Sequence, residues 1–370
     1  MFFSKSDNNH AKKTILIAPL DWGLGHATRC IPIIRELNQL GLRVIIAADG
    51  PIKSLLQQEF PNNLFIFLAG YQIKYSKNSF WFSVKLLLQS LRIVFTIIKE
   101  HFWLNKIVKE YGIDMIISDN RFGLYHSTIP SVYITHQLFI KTGNYFSERI
   151  GEKIHRWFIK KYDECWIPDF EKVNSIAGVL SHPEKILSNT KYIGCLSRFE
   201  KQEDEKQEYQ LLILISGPEP QRTIFEKKLL DQTVNFRGKV LFVRGLPGQE
   251  SKAPLSTNFN SIIIKNHLPS DELCLAIQQS EMVICRSGYT SVMDLIKLKQ
   301  KAILIPTPGQ SEQEYLADHL HTQNMFYSVS QHKFQLNESL DNAMQFEYKI
   351  PEANMNLYKK VINDFINQHS

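Results

Sequence analysis

The stretch Thr14–Cys30 reads T-I-L-I-A-P-L-D-W-G-L-G-H-A-T-R-C. Its first part, Thr14–Leu20, is short and continuously apolar, which predicts a strand buried on both faces. Gly23 and Gly25 permit a tight turn and a close approach to the backbone. Thr28–Leu40 follows as a predicted helix, with Ile31, Ile34, Leu37 and Leu40 on one face. Strand, glycine turn and helix together open a doubly wound α/β domain. The helix start supplies free N–H groups and a positive dipole end. His26 sits at that turn, where a neutral imidazole can serve as a general base. A dinucleotide loop, G-x-G-x-x-G, would need glycine at position 28, where Thr28 stands.

Outward from this stretch the alternation continues. Arg43–Ala48, Leu64–Leu68, Met115–Ser118 and Val132–Thr135 read as further strands. Glu200–Glu208, E-K-Q-E-D-E-K-Q-E, is a charged run without apolar anchors and predicts a linker. The pattern then restarts. Leu211–Ile215, Val240–Val243, Ile262–Lys265, Met282–Cys285 and Ala302–Ile305 read as strands, and Thr223–Leu230 starts a helix. The 370 residues thus divide into a Rossmann-like domain over 1–199, a linker over 200–208 and a second Rossmann-like domain over 209–350. Residues 351–370, helical over Asn354–Ile366, are expected to pack back on the first domain. Such domains bind ligands at the C-terminal ends of their strands, so a cleft between them is the expected site.

Composition is that of a globular protein, with 44% hydrophobic and 22% charged residues. Met1–Lys13 is polar and reads as a short disordered lead-in without a signal peptide. The five cysteines, Cys30, Cys165, Cys195, Cys274 and Cys285, form no C-x-x-C. They point to reduced thiols, a cytoplasmic location and no zinc site. Lys and Arg outnumber Asp and Glu by 25 to 16 in residues 1–198, whereas residues 199–370 are weakly acidic. A basic first half suits an anionic partner or is simply a solvated surface. Charge is the sole feature favouring nucleic acid, and no motif supports it. Residues 80–109 are strongly apolar, with Lys85, Gln89, Arg92, Thr96 and Lys99 as a narrow polar stripe. Arg92 and Lys99 argue against a transmembrane span. The helix is either buried in the first domain or meets a membrane or a lipid-linked acceptor.

Three further stretches carry chemistry. Asp119, in M-I-I-S-D-N-R, is the first acid beyond a buried strand. It suits either a partner that fixes a histidine tautomer or a turn residue. Cys285–Asp294, C-R-S-G-Y-T-S-V-M-D, lies between a strand and a helix. Gly288 with Ser287, Thr290 and Ser291 at a helix start suits a diphosphate, Arg286 adds a positive fork, and Asp294 is placed for ribose hydroxyls. Pro306–Glu314, P-T-P-G-Q-S-E-Q-E, clusters amides and carboxylates suited to a sugar, or is a polar loop with an N-cap.

The last two stretches resemble the donor-site signature of nucleotide-sugar glycosyltransferases with the GT-B fold. The R-S-G-Y-T-S-V-M-D run followed by Glu312-Gln313 is similar to their H-C-G-W-N-S-x-x-E followed by D-Q. The C-R-S-G form is similar to the lipid II N-acetylglucosaminyltransferase, of the glycosyltransferase family 28 C-terminal domain type, and to UDP-glycosyltransferases. The resemblance implies two Rossmann-like domains facing a cleft, no cofactor and no metal; the chain has no D-x-D. It implies that Arg286, Ser287, Gly288 and Ser291 hold the diphosphate, Asp294 the ribose, and Glu312 with Gln313 the sugar. His26 would be the catalytic base and Asp119 its partner. Gly217 would lie in a phosphate loop, though that loop departs from the family by reading G-P-E-P-Q-R. Gly23, Gly25, Arg29, His136 and Gln137 would lie on the acceptor side. Asp294 is a methylene shorter than the family's Glu, and Glu314 stands where the lipid II enzyme has Gln.

The expected activity is inverting, metal-independent transfer from a nucleotide-diphosphate-sugar, a UDP-sugar by resemblance, to an acceptor that is lipid-linked if residues 80–109 meet a membrane. G-L-G-H-A-T-R-C is also similar to the loop of a nucleotide-sugar hydrolase, in which the same base activates water. Two more readings are compatible with the residues: a NAD-dependent oxidoreductase, with Asp49 at the ribose, and a non-catalytic nucleotide-sugar sensor.

Overall fold

The computed structural model describes residues 12–71, 82–141, 145–171, 174–202, 206–246, 261–352 and 354–369, and the side chains of 82–91, 145 and 146 are left aside. The lead-in before residue 12, the start of the apolar segment at 80, the side chains of Lys85 and Gln89, and linker residues 203–205 therefore lie outside the described residues.

Two parallel sheets carry the fold. The first contains β1 (Thr14–Pro19), β2 (Arg43–Ala47), β3 (Leu64–Ile66), β4 (Met115–Asp119), β5 (Ser131–Ile134), β6 (Glu164–Ile167) and β7 (Thr190–Tyr192). Their order is β3-β2-β1-β4-β5-β6-β7. The second contains β8 (Tyr209–Leu214), β9 (Val240–Val243), β10 (Ile262–Lys265), β11 (Ser280–Cys285), β12 (Ala302–Leu304) and β13 (Tyr327–Ser328), in the order β10-β9-β8-β11-β12-β13. In each sheet the order reverses beside the first strand, and such a switch point opens a crevice at the strands' C-terminal ends.

The connecting helices are α1 (Leu24–Gln39), α2 (Gly50–Glu59), α3 (Phe82–Tyr111) and α4 (Tyr145–Ile159) along the first series of strands. Along the second they are α5 (Gln221–Thr233), α6 (Ser270–Gln278), α7 (Tyr289–Leu298) and α8 (Ser311–Thr322). The continuous apolar runs became central strands because helices cover both faces. Leu16, Ala18, Ile45, Ile116 and Leu104 share one core, and Leu211, Ile213, Phe242, Ile284 and Ile303 share another. Helix α1 starts four residues before the predicted Thr28, so Gly25 and His26 lie in its first turn. Its N-cap, Gly23, has φ +103°, a conformation that glycine adopts without strain.

The long apolar helix α3 is both buried and exposed. Ile97, Glu100, Leu104 and Ile107 face the core, while Val94, Phe95, Ile98 and Phe102 are exposed. Among the described residues no helix is long and apolar enough to cross a membrane. By compactness the chain forms two units. One comprises Met1–Ile134, Phe158–Trp166 and Ile366–Ser370; the other comprises Thr135–Trp157 and Ile167–Phe365.

Candidate functional site

In the first unit, β1 and β4 lie side by side with Pro19 opposite Asp119. Asp119 is therefore the last residue of a central strand, and its side chain is fully buried. His26 Nδ1 lies 2.9 Å from Asp119 Oδ2. Arg29, one turn along α1, donates from Nε to both carboxylate oxygens at 2.9 and 3.0 Å, and Arg29 Nη2 also donates to Oδ1. Burial alone would raise the Asp119 pKa, but the Arg29 and His26 charges outweigh it and hold the carboxyl below its ordinary value. Arg29, expected on the acceptor side, is thus a partner of the carboxylate.

Arg29 Nη2 also lies 2.7 Å from His26 Nδ1. A guanidinium only donates, so that contact requires an unprotonated Nδ1, whereas the contact to Asp119 requires Nδ1–H. The two therefore select opposite tautomers. The one bonded to Asp119 leaves the Nε2 lone pair available as a base. Thr28 Oγ1 donates to Gly25 O at 3.0 Å and closes the first turn beneath the histidine.

A second buried network fixes the strand ends, and nothing in the sequence pattern announces it. Arg121 Nε donates to Pro19 O at 2.8 Å, and Arg121 Nη1 to Glu100 Oε1 at 2.6 Å. Tyr71 Oη donates to Glu100 Oε2 at 2.7 Å, and Tyr71 N to Asp21 Oδ1 at 3.0 Å. The apolar helix thereby contributes a carboxylate that ties the C-terminal ends of β1 and β4 together. Glu100 had no sequence signal beyond being an acid on a helix face otherwise apolar.

In the second unit, the residues predicted for a donor gather at the ends of β8, β11 and β12, but several are used differently. Arg286 is 1% exposed. Its guanidinium lies over the Phe225 ring and donates to the carbonyls of Ile305, Pro306 and Gln221 at 3.2–3.3 Å. Burial lowers its pKa to about 10, so it stays charged at neutral pH. The positive fork braces the chain from within, supplying donors to the loop carbonyls after β12. Ser287 Oγ donates to Gln313 O at 2.8 Å. Gln313 is also turned inward: Oε1 accepts from Thr307 N at 2.9 Å, and Nε2 donates to Gln310 Oε1 at 2.6 Å. Asp294 is buried and accepts from Ser197 Oγ at 2.6 Å, so its carboxylate is already engaged. The side chains of Arg286, Gln313 and Asp294 hold the loops in place.

What remains open is the start of α7. Gly288 caps it without a side-chain hydrogen bond, and a Cβ there would meet nothing within 4 Å. Ser291 lies half-buried in its first turn. Gly217 has φ +106° and is exposed, in keeping with a loop that approaches a ligand. Thr307 Oγ1 and Arg286 Nε are buried without a hydrogen-bond partner in this region. Glu312, at the start of α8, meets His136: Nε2 and Oε1 are 2.7 Å apart. The His136 ring also stacks on Tyr289 at 4.1 Å. His136, expected near the acceptor, thus belongs to the same compact unit as the donor loops. Its neighbour Gln137 is half-buried, and its backbone N–H is taken by Thr135 Oγ1 at 3.1 Å.

Residues 200–368 match the Glycosyltransferase family 28 C-terminal domain. The protein is a glycosyltransferase. An uncharacterized glycosyltransferase of Methanosarcina acetivorans is 24% identical over 321 residues, 79% of each chain. Among solved structures, the kitacinnamycin glycosyltransferase superposes with a TM-score of 0.64 at 11% identity, covering 97% of this chain and 96% of its own. MurG of Acinetobacter baumannii gives 0.59 at 13% identity, covering 96% and 99%. The calicheamicin glycosyltransferase CalG4 gives 0.62 at 10% identity, covering 97% and 95%. At these identities the structures establish the fold, which is GT-B, as the sequence predicts.

Proposed function

We propose that this glycosyltransferase moves a sugar, with inversion and without a metal, from a UDP-sugar to a lipid-linked acceptor. The observation that carries the reading is the His26–Asp119 pair, with its buried carboxylate held ionised by Arg29. In this reading Asp119 accepts from Nδ1–H, and Nε2 takes the acceptor hydroxyl proton as the oxygen attacks the anomeric carbon. The bond from that carbon to the donor diphosphate breaks, and its electron pair leaves on the phosphate oxygen. The N–H groups at the start of α7 meet the new charge, with the buried Arg286 cation behind them. Gly217 lets its loop approach the phosphates, Ser291 adds a hydroxyl, and Glu312 binds the sugar.

The lipid-linked acceptor is supported by the outward apolar stripe of α3, where Val94, Phe95, Ile98 and Phe102 lie beside Arg92, Lys99 and Lys106. The protein would then work at the cytoplasmic face of a membrane. His26→Ala should retain donor binding and reduce turnover by about 10²–10⁴-fold. Full turnover in this variant sinks the assignment of the base. Rapid release of free sugar without any acceptor would make the protein a hydrolase instead.

A further inference from the structure

We infer that Thr307 is a phosphate-binding residue whose hydroxyl donates to an oxygen of the donor's diphosphate, and that position 217 is glycine so that this oxygen can reach it. Thr307 lies outside the residues that the donor-site resemblance marks, and its assignment rests on the reading that the donor is a nucleotide-diphosphate-sugar. Strand register brings the two residues together. Leu214, Cys285 and Leu304 lie level across β8, β11 and β12. Gly217, Gly288 and Thr307 each stand three residues further along, in the loops that leave the C-terminal edge of the sheet.

Thr307 is 1% exposed, yet its Oγ1 has no hydrogen-bond partner among the described residues. Its backbone is fully used. The N–H donates to Gln313 Oε1 at 2.9 Å, and the C=O accepts from Gln310 N at 3.1 Å. The residue is thus held in place with a hydroxyl to spare. A buried hydroxyl without a partner is costly, and a ligand atom that accepts from it removes the cost. Gly217 is exposed, and a Cβ there would lie 3.6 Å from Thr307 Oγ1. Glycine leaves that space to the ligand. The charge nearby selects an anion. Arg286 is buried, and its Nη1 donates to the carbonyl of Pro306, directly before Thr307, at 3.2 Å. Its side-chain bonds go to carbonyls, with no carboxylate paired to it among the described residues, and its Nε is unpartnered. A buried cation without a counter-ion favours a phosphate oxygen over a sugar hydroxyl.

The test is calorimetric titration of UDP into the full chain, paired with the melting temperature of the ligand-free protein. Thr307→Val removes the hydroxyl and keeps the shape. It should weaken UDP binding about tenfold or more, because a bond to a charged oxygen is lost, without lowering the melting temperature. Thr307→Ser should stay within about threefold of wild type. Gly217→Ala should also weaken UDP binding, and its effect should be at least about threefold smaller when residue 307 is already Val. Unchanged UDP affinity in Thr307→Val overturns the assignment and leaves the UDP donor standing; a lowered melting temperature beside it shows that the hydroxyl serves the interior. An equal loss in Thr307→Ser traces the effect to packing and also overturns the assignment. Additive losses overturn the role given to Gly217. A wild type that binds GDP or dTDP but not UDP overturns the choice of UDP, and the same variants then decide Thr307 with that nucleotide. Binding of none of the three overturns both.

Discussion

At the scale of single residues, Arg29 holds the candidate base and its carboxylate together. Asp119 is fully buried, so replacing Arg29 by Met strands a charge without its main partner. The expected loss is about 3–5 kcal/mol of unfolding free energy, read by urea titration. Asp119→Asn should preserve the fold better and reduce kcat by about 10²–10⁴-fold, because the amide also satisfies the wrong histidine tautomer. Asp294 behaves differently. Burial pushes its pKa up to about 6, against an ordinary 3.8. Between those values the folded state holds a proton that the unfolded state has released, so stability falls as pH rises from about 4 to about 6. Asp294→Asn, which keeps an acceptor for Ser197, should flatten that part of the profile. It should raise stability at pH 7 by on the order of 1–3 kcal/mol while leaving pH 4 unchanged. Calorimetry at both values checks this, and an unchanged UDP-sugar affinity would separate the internal role from ribose binding.

At the scale of elements, β1, the glycine turn and α1 were legible because a continuous apolar run, two glycines and a 3.6-residue period each have one reading. Asp119 was legible as a candidate because it ends such a run. Helix α4 and strands β6, β7 and β13 were not among the predicted elements. The strands are two to four residues long, too short to show a period, and α4 exposes apolar residues where a surface helix should be polar. The donor-loop residues stood out by type and by their place after a strand, but the inward turns of Arg286 and Gln313 were not legible. Whether a guanidinium meets a ligand or a loop carbonyl depends on chain segments distant in sequence, here Gln221 and Ile305–Pro306. Glu100 makes the same point for α3. Glu100→Gln keeps the shape but removes the charge opposite buried Arg121. It should lower the melting temperature, and it should slow turnover only to the extent that the β1–β4 ends move. Differential scanning fluorimetry paired with a kcat measurement resolves those two effects.

For the whole molecule, ligand linkage is the most direct probe. A donor that binds only the folded state stabilises it by about 2.7 kcal/mol at a hundredfold excess over Kd. UDP-sugars should therefore raise the melting temperature more than GDP- or dTDP-sugars do, and a chelator should leave turnover unchanged. The two compact units are also not consecutive in the chain. Residues from Ile366 onward belong to the first unit, where Lys13 Nζ donates to His369 O at 2.7 Å. On the ribosome, all strands of the second unit are synthesised before residue 366 emerges. The first unit therefore cannot be completed during biosynthesis until the second has been synthesised through Phe365.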